Sequence, residues 1–375
     1  MKILADENMP LVREWFGRHG EVLTRPGRAI DANAVREVDV LLVRSVTRVD
    51  AALLAGSRVK FVGSATSGYD HIDRDGLAAA GIHFAHAPGC NAGAVVQYVL
   101  SVCCALRPDW RRRVVGIVGC GAVGGRLYSV LTALGVRCRV YDPLRPDREN
   151  IPDLIDLVEV IRAADILCLH TPLTHTAPFP TFHMVDDRVL AALKSGCLLI
   201  NAARGAVVDN AALRKRLTTA PGLTVALDVW EGEPAIDPDL CQRVAIATPH
   251  IAGYSQEGRV NGTRAVYEAF CAWRGVPPIP PVSGAPQPLV LPSSLDPLAD
   301  AVLATFDVRA EHRRMATAIA SGVAIAEAFD QLRRTSPERR EFGHFQIAVT
   351  GNDPLAADLR RLGFRVGAEL LPQNQ

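Results

Sequence analysis

The chain lacks an excess of charge of either sign. Its 375 residues carry 41 basic and 40 acidic side chains, a formal net charge of +1. Such a balance gives no electrostatic footprint for nucleic acid or for an anionic membrane surface. The chain also lacks a long apolar run. The longest, Ala92 to Leu106, contains Gln97 and falls short of the roughly 20 apolar residues that a membrane-spanning helix needs. A signal-type start is missing as well: MKILADENMP reaches Asp6 and Glu7 before an apolar stretch can form, which argues against secretion. Nine cysteines are present but none forms CxxC, and most sit in apolar runs. They read as buried reduced thiols of a cytoplasmic protein, with no metal site and no disulfide framework. No repeat at solenoid periods is found.

What is present is an ordinary globular composition, 49% hydrophobic and 22% charged, in a chain long enough for two or three domains. Short apolar runs end in polar or glycine residues: KILAD, VDVLLVRS, KFVGSAT, then VVGIVGCG, RCRVYDP, ADILCLHTP, SGCLLINAARG, LTVALDVW and VAIATPH. Between them lie stretches compatible with helices, Pro10 to Gly20 among them. Strand and helix in alternation predict parallel sheets covered on both faces. The expected fold class is α/β, with two doubly wound, Rossmann-like parallel-sheet domains and a small C-terminal α/β domain. Residues 277–297 hold eight of the 25 prolines and read as extended chain. Beyond them Ala310 to Arg334 looks helical, and QIAVTG and FRVGAEL look like short strands.

Gly119-Cys-Gly121-Ala-Val-Gly124 follows the strand VVGIV and opens a helix-like run. In that setting the first glycine permits the tight turn. The second lets the backbone approach a pyrophosphate, and the third lets helix and strand pack closely. Free amides at the helix start favour the anion. Asp142 stands 18 residues after Gly124, at the end of the next strand. A carboxylate there accepts ribose hydroxyls and repels a 2′-phosphate, so NAD is favoured, while Arg145 and Arg148 nearby keep NADP open.

Three further strand ends carry polar groups: Arg204 in LLINAARG, Asp228 and Glu233 in LDVWEGEP, and His250 in ATPHIAGY. Oxidation of a 2-hydroxy acid needs a cation for the carboxylate, a base for the hydroxyl proton and an acceptor for hydride. The arginine fork suits the first and histidine the second, with a carboxylate to orient the imidazole. The third task is the cofactor's. Glu231 competes with Glu233 for the orienting role. His71, His86, His170 and His183 also lie near strand ends or loops.

LINAARGAVVD, DVWEGEP and TPHIAGYS, behind GIVGCGAVG, together resemble the D-2-hydroxyacid dehydrogenase family. The separations of 29 residues from Arg204 to Glu233 and 17 from Glu233 to His250 agree with its catalytic set. The resemblance implies that Arg204 binds the substrate carboxylate, His250 is the acid/base and Glu233 is its partner. Asp228 would line the nicotinamide side of the cofactor site. A narrower match within the family, carried by LLVRSVTRVD, FVGSATSGYDHID, APGCNAGAVVQYVLS, LCLHTPLT and PHIAGYSQEG, covers residues 1 to about 345. It implies a phosphorylated 2-hydroxy acid as substrate, with Ser45, Thr66 and Tyr254 as contacts. Thr171, Ala202, Ala203, Arg204 and Gly253 would touch cofactor. The residues of VRSVT, taken alone, read equally well as a phosphate cradle or as a turn entering a helix at Asp50.

The same match implies a substrate domain of residues 1–93 and 256–280, an NAD domain of 94–255, a proline-rich linker of 281–297 and a dimerisation domain of 298–375. Substrate would sit between the first two, and the partner would be a second copy of the chain. Gln97, Ser67, Tyr69 and Cys120 depart from the family pattern. Another phosphorylated hydroxy acid such as 3-phosphoglycerate, or a non-catalytic NAD-sensing protein of the same fold, stays open at this level.

Overall fold

A computed structural model describes residues 1–145, 151–280, 285–292 and 294–368. Arg148, parts of the linker (281–284 and 293) and the last residues of the C-terminal segment lie outside the described residues. The chain divides into two compact units, residues 1–91 with 254–284 and residues 92–253 with 285–375.

The first unit is built on β1 (Lys2–Asp6), β2 (Glu21–Arg25), β3 (Val40–Val43), β4 (Phe61–Ser64) and β5 (His83–His86). They form one parallel sheet in the order β2-β1-β3-β4-β5. The inner strands β3 and β4 are buried at every residue, as expected of a parallel sheet covered on both faces. The helix Gln256–Arg274 returns to this unit and packs Val266, Tyr267 and Phe270 against Phe16 and Phe61. Its approach depends on Gly63, where a Cβ would run into Val266.

In the second unit β6 (Val114–Val118), β7 (Arg137–Tyr141), β8 (Ile166–Leu169), β9 (Cys197–Asn201), β10 (Leu223–Leu227) and β11 (Ile246–Ala247) form a parallel sheet. Its order is β11-β10-β9-β8-β6-β7. The order reverses between β6 and β8, and open sheets of this kind take ligands at the carboxyl ends beside such a reversal. The two faces carry separate cores, Ile117, Ile166, Ile200 and Ala226 on one and Leu167, Leu169, Leu199 and Val225 on the other.

The C-terminal segment belongs to this second compact unit, where the sequence led us to expect a module of its own. The helices Pro297–Thr305, Val308–Ala320, Ile325–Arg334 and Asp353–Leu362 pack with a small parallel sheet, β12 (Gln287–Pro288), β13 (Phe345–Ala348) and β14 (Arg365–Gly367), in that order. The stretch that looked helical from Ala310 to Arg334 is two helices, because the chain breaks at Gly322, φ 78°. β12 draws on the proline-rich stretch and lies at a sheet edge, the place where a strand tolerates proline.

Candidate active site

The glycine loop joins β6 to the helix Ala122–Ala133. Gly119 has φ 88°, and a Cβ on it would stand 2.8 Å from the His170 backbone. A Cβ at Gly124 would collide with the Gly119 carbonyl, whereas one at Gly121 meets nothing within 4 Å. The helix starts at Gly121 without a side-chain cap. Its first amides therefore keep donors for an anion. Thr171, at the end of β8, has a buried hydroxyl with no partner among the described residues. Open space at the middle glycine, uncapped amides and this orphaned hydroxyl together fit a dinucleotide. Asp142 accepts the Cys120 N–H at 2.8 Å and the Leu144 N–H at 3.1 Å. It thus ties the loop to β7 while keeping lone pairs for ribose hydroxyls. Arg145 turns back and donates to the Cys120 carbonyl.

Register brings the proposed catalytic groups to neighbouring strand ends. Asn201 of β9, Leu227 of β10 and Ala247 of β11 share one rung. Arg204 and His250 each stand three residues beyond it, in the loops that leave the two strands flanking β10. His250 Nδ1 lies 2.7 Å from Glu233 Oε2. The other oxygen of Glu233 accepts the Trp230 N–H at 2.9 Å. Burial pushes the Glu233 carboxyl up. The imidazole beside it and these hydrogen bonds outweigh burial and hold it below its ordinary value. With Nδ1 engaged, Nε2 is the ring atom left to work on a substrate. Both side chains keep partial exposure, 35% and 20%.

Each loop is braced from within. Asn201 accepts the Ala203 N–H at 3.1 Å and donates to the Arg204 carbonyl at 3.0 Å. Arg204 itself donates to the Ala203 carbonyl at 2.8 Å. Gly205 lies so close to the Trp230 carbonyl that any Cβ would strike it. The Trp230 indole donates to the Thr248 carbonyl at 3.0 Å. The Asp228 carboxylate accepts the Thr248 hydroxyl at 2.7 Å and the Ile251 and Ala252 N–H groups at 2.8 Å, and the residue is 1% exposed. These bonds tie the strand end expected to line the nicotinamide to the loop that carries His250. That residue has φ 58°, a left-handed backbone that costs a non-glycine residue on the order of 1 kcal/mol. The Asp228 carbonyl also accepts the His250 N–H at 2.7 Å.

Glu231, the rival of Glu233, is committed to another contact. One oxygen meets His183 Nε2 at 2.7 Å and the other accepts the Asn210 N–H at 2.8 Å. His183, Asp209 and Glu231 are the one group of potential metal ligands found among the described residues. The two nitrogens of His183 meet different carboxylates, so the group clasps a loop. Both ring nitrogens of His170 are buried, and burial pulls its imidazole down to about 4.

Ser45 and Thr66 lie in the first unit. They sit two residues beyond the rung that pairs Val43 with Ser64, on adjacent strand ends. Ser45 is exposed. The Thr66 hydroxyl donates to the Gly68 carbonyl at 2.7 Å and lies 2.6 Å from the Ser64 hydroxyl. Thr47 turns inward and donates to the Gly27 carbonyl at 2.8 Å, and Asp50 caps the helix Ala51–Leu54. Tyr254 is half-buried just before that unit's returning helix, while Ala202, Ala203 and Gly253 belong to loops of the second unit. Sequence reasoning missed Trp230, Thr248 and Tyr98, whose hydroxyl lies 2.9 Å from that of Thr248. Their part is set by contacts across distant segments, for which a linear motif has no signal.

Comparison with known proteins gives the family and the fold. Residues 104–252 match the family described as D-isomer specific 2-hydroxyacid dehydrogenase, NAD binding domain, and residues 291–363 match a domain of unknown function. The erythronate-4-phosphate dehydrogenase of Pseudomonas paraeruginosa is 46% identical over 99% of this chain and 100% of its own. That of Azotobacter vinelandii is 47% identical over 98% and 100%. The fold is also that of D-lactate dehydrogenase from Aquifex aeolicus, solved with NAD and lactic acid. The TM-score is 0.63 and the identity 21%, over 73% of this chain and 96% of the other.

Proposed function

Because the chain belongs to the erythronate-4-phosphate dehydrogenase family, within the D-isomer specific 2-hydroxyacid dehydrogenases, we propose that Arg204, Glu233 and His250 oxidise 4-phospho-D-erythronate to 2-oxo-3-hydroxy-4-phosphobutanoate. The chain is an NAD-dependent oxidoreductase. The reaction would serve pyridoxal 5′-phosphate (vitamin B6) biosynthesis. The observation that carries the assignment of roles is the 2.7 Å contact between His250 Nδ1 and Glu233, on a strand end next but one to that of Arg204.

In this reading the Arg204 fork grips the C1 carboxylate and polarises the C2 oxygen. His250 Nε2 removes the C2 hydroxyl proton, and the charge that forms on the ring is stabilised by Glu233. NAD, when bound, supplies the acceptor for the C2 hydrogen and its electron pair. The glycine loop with Gly119, Gly121 and Gly124, together with Asp142, Thr171, Ala202, Ala203 and Gly253, would hold it. Ser45, Thr66 and Tyr254 would contact the phosphorylated substrate. The C-terminal segment would join two copies in a homodimer, which sedimentation velocity tests directly. Nine free cysteines support a reducing cytoplasmic setting.

The test of roles is His250→Ala. Turnover should fall about 10²- to 10⁴-fold, the usual share of a general base, with NAD affinity near wild type. Unchanged turnover overturns the assignment. A panel of hydroxy acids followed by NADH absorbance, with 3-phosphoglycerate among them, tests the substrate.

A further inference from the structure

The loop that carries His250 is gripped from the C-terminal segment as well as from its own sheet. Arg339 is 6% exposed. It donates to the Ala252 carbonyl and, at 3.3 Å, to the Ala94 carbonyl. Its guanidinium carbon lies 4.3 Å from the centre of the Phe306 ring. Nε and Nη1 are buried without a partner among the described residues. A buried guanidinium with unmet donors is a poor way to stabilise a fold. An apolar side chain of similar volume often serves as well or better. Burial pulls Arg339 down to about 10, opposed first by the charge of Asp228.

The contact it makes is specific. The peptide groups around Ala252 are held from two sides, the N–H by Asp228 and the carbonyl by Arg339. At the other end of the same loop, the Ala247 N–H of edge strand β11 donates to Nδ1 of His312, also from the C-terminal segment, at 3.1 Å. Between these two fixed points stands His250 with its left-handed backbone. Such a conformation persists only where its surroundings over-determine it.

We propose that Arg339 is a positioning residue for the reaction: by fixing the Ala252 carbonyl it holds the loop so that the His250 imidazole meets Glu233 and substrate in register. The inference rests on His250 being the acid/base. It gives the C-terminal segment, of which residues 291–363 match a domain of unknown function, a part in catalysis.

Arg339→Met keeps the length of the stem and removes the charge and the donors. Its kcat should fall about 10- to 100-fold, the scale of a small misplacement of a catalytic group. KM and NAD affinity should stay close to wild type. Amide exchange should quicken in the peptide spanning 248–253 and not in the glycine-loop peptide spanning 117–125. Arg339→Lys, which keeps a charged donor, should recover part of kcat. Wild-type kcat and exchange in Arg339→Met overturn the proposal. So does a parallel loss of kcat, NAD affinity and glycine-loop protection, which marks a general structural role. If Arg339→Met fails to fold, Arg339→Lys decides: wild-type kcat and loop exchange there also overturn it. His250→Ala run alongside separates the two ideas. Activity retained in that variant sinks the site reading itself, whereas its loss beside an unaffected Arg339→Met sinks only this one.

Discussion

Glu233 uses its two oxygens on two partners, the His250 ring and the Trp230 N–H, and the balance of forces on it has a measurable consequence. Its carboxyl is held below the ordinary value of 4.5 despite burial. A carboxyl held low in the folded chain binds fewer protons there than in the unfolded chain. The stabilisation is therefore fully present above the ordinary value and is lost as pH falls through the lower folded one. Glu233→Gln keeps an oxygen for Trp230 and removes the charge. Melting curves of the two proteins should differ at neutral pH and converge as pH drops below about 4.5; a gap constant across the acid range would show that the charge adds nothing. Turnover should fall about 10²- to 10⁴-fold, as when the group orienting a catalytic imidazole is neutralised. At this scale Arg204 stood out because it follows an apolar strand in a turn where a solvated charge has no special reason to be, whereas Glu233 and His250 were singled out from Glu231 and the other histidines by the family resemblance. Arg339 was not legible, since its partner is 87 residues away and nothing local distinguishes it from other arginines. Asp228 was legible as important, but its bonds to the loop amides emerge only in three dimensions.

At the scale of elements, strand signals were clear where both faces of a strand are covered. The inner strands β3, β4, β8 and β9 are buried throughout, and each reads as a short apolar run. The edge strands β2 and β5 were missed because they bury only one residue fully and keep polar or exposed positions. The glycine loop was read from its spacing, and the structure now separates what its glycines do. A Cβ at Gly124 strikes the Gly119 carbonyl, while one at Gly121 enters open space. Gly124→Ala should therefore cost about 1–3 kcal/mol of stability, as overpacking does, and melt a few degrees lower. Gly121→Ala should melt like wild type yet bind NAD about tenfold more weakly, roughly 1.4 kcal/mol. Calorimetry and a fluorescence titration of each variant check the pair. Equal effects of the two on melting and on affinity would mean that the loop does not approach the cofactor as argued.

At the scale of the whole molecule, the C-terminal segment is where sequence and structure part most. The composition break at the prolines suggested an appended module, but chain composition cannot show what a helix packs against. The helix Ala92–Leu106 is buried on nearly every face, Gln97 and Ser101 included, and a helix apolar or buried all round needs cover on every side. The C-terminal segment gives part of it. Gln97, one of the departures from the family pattern, donates to the Thr305 hydroxyl and the Arg340 carbonyl, each at 3.0 Å. Ser101 donates to the Phe306 carbonyl at 2.7 Å and accepts the Val308 N–H at 3.0 Å. Leu298, Val302, Phe342 and Leu359 join the core on one face of the sheet, and Met315 and Phe329 the core on the other. Each such side chain contributes about 1.5–3 kcal/mol by burial, against a net stability of about 5–15 kcal/mol for an ordinary domain. A chain truncated after residue 284 should therefore aggregate or lose its cooperative melt, and should not bind NAD. Circular dichroism, sedimentation and NAD titration check this together. A truncated chain that is folded, monomeric and close to wild type in melting temperature would show the segment to be only a handle for a second copy, and would remove the physical basis for its grip on the catalytic loop.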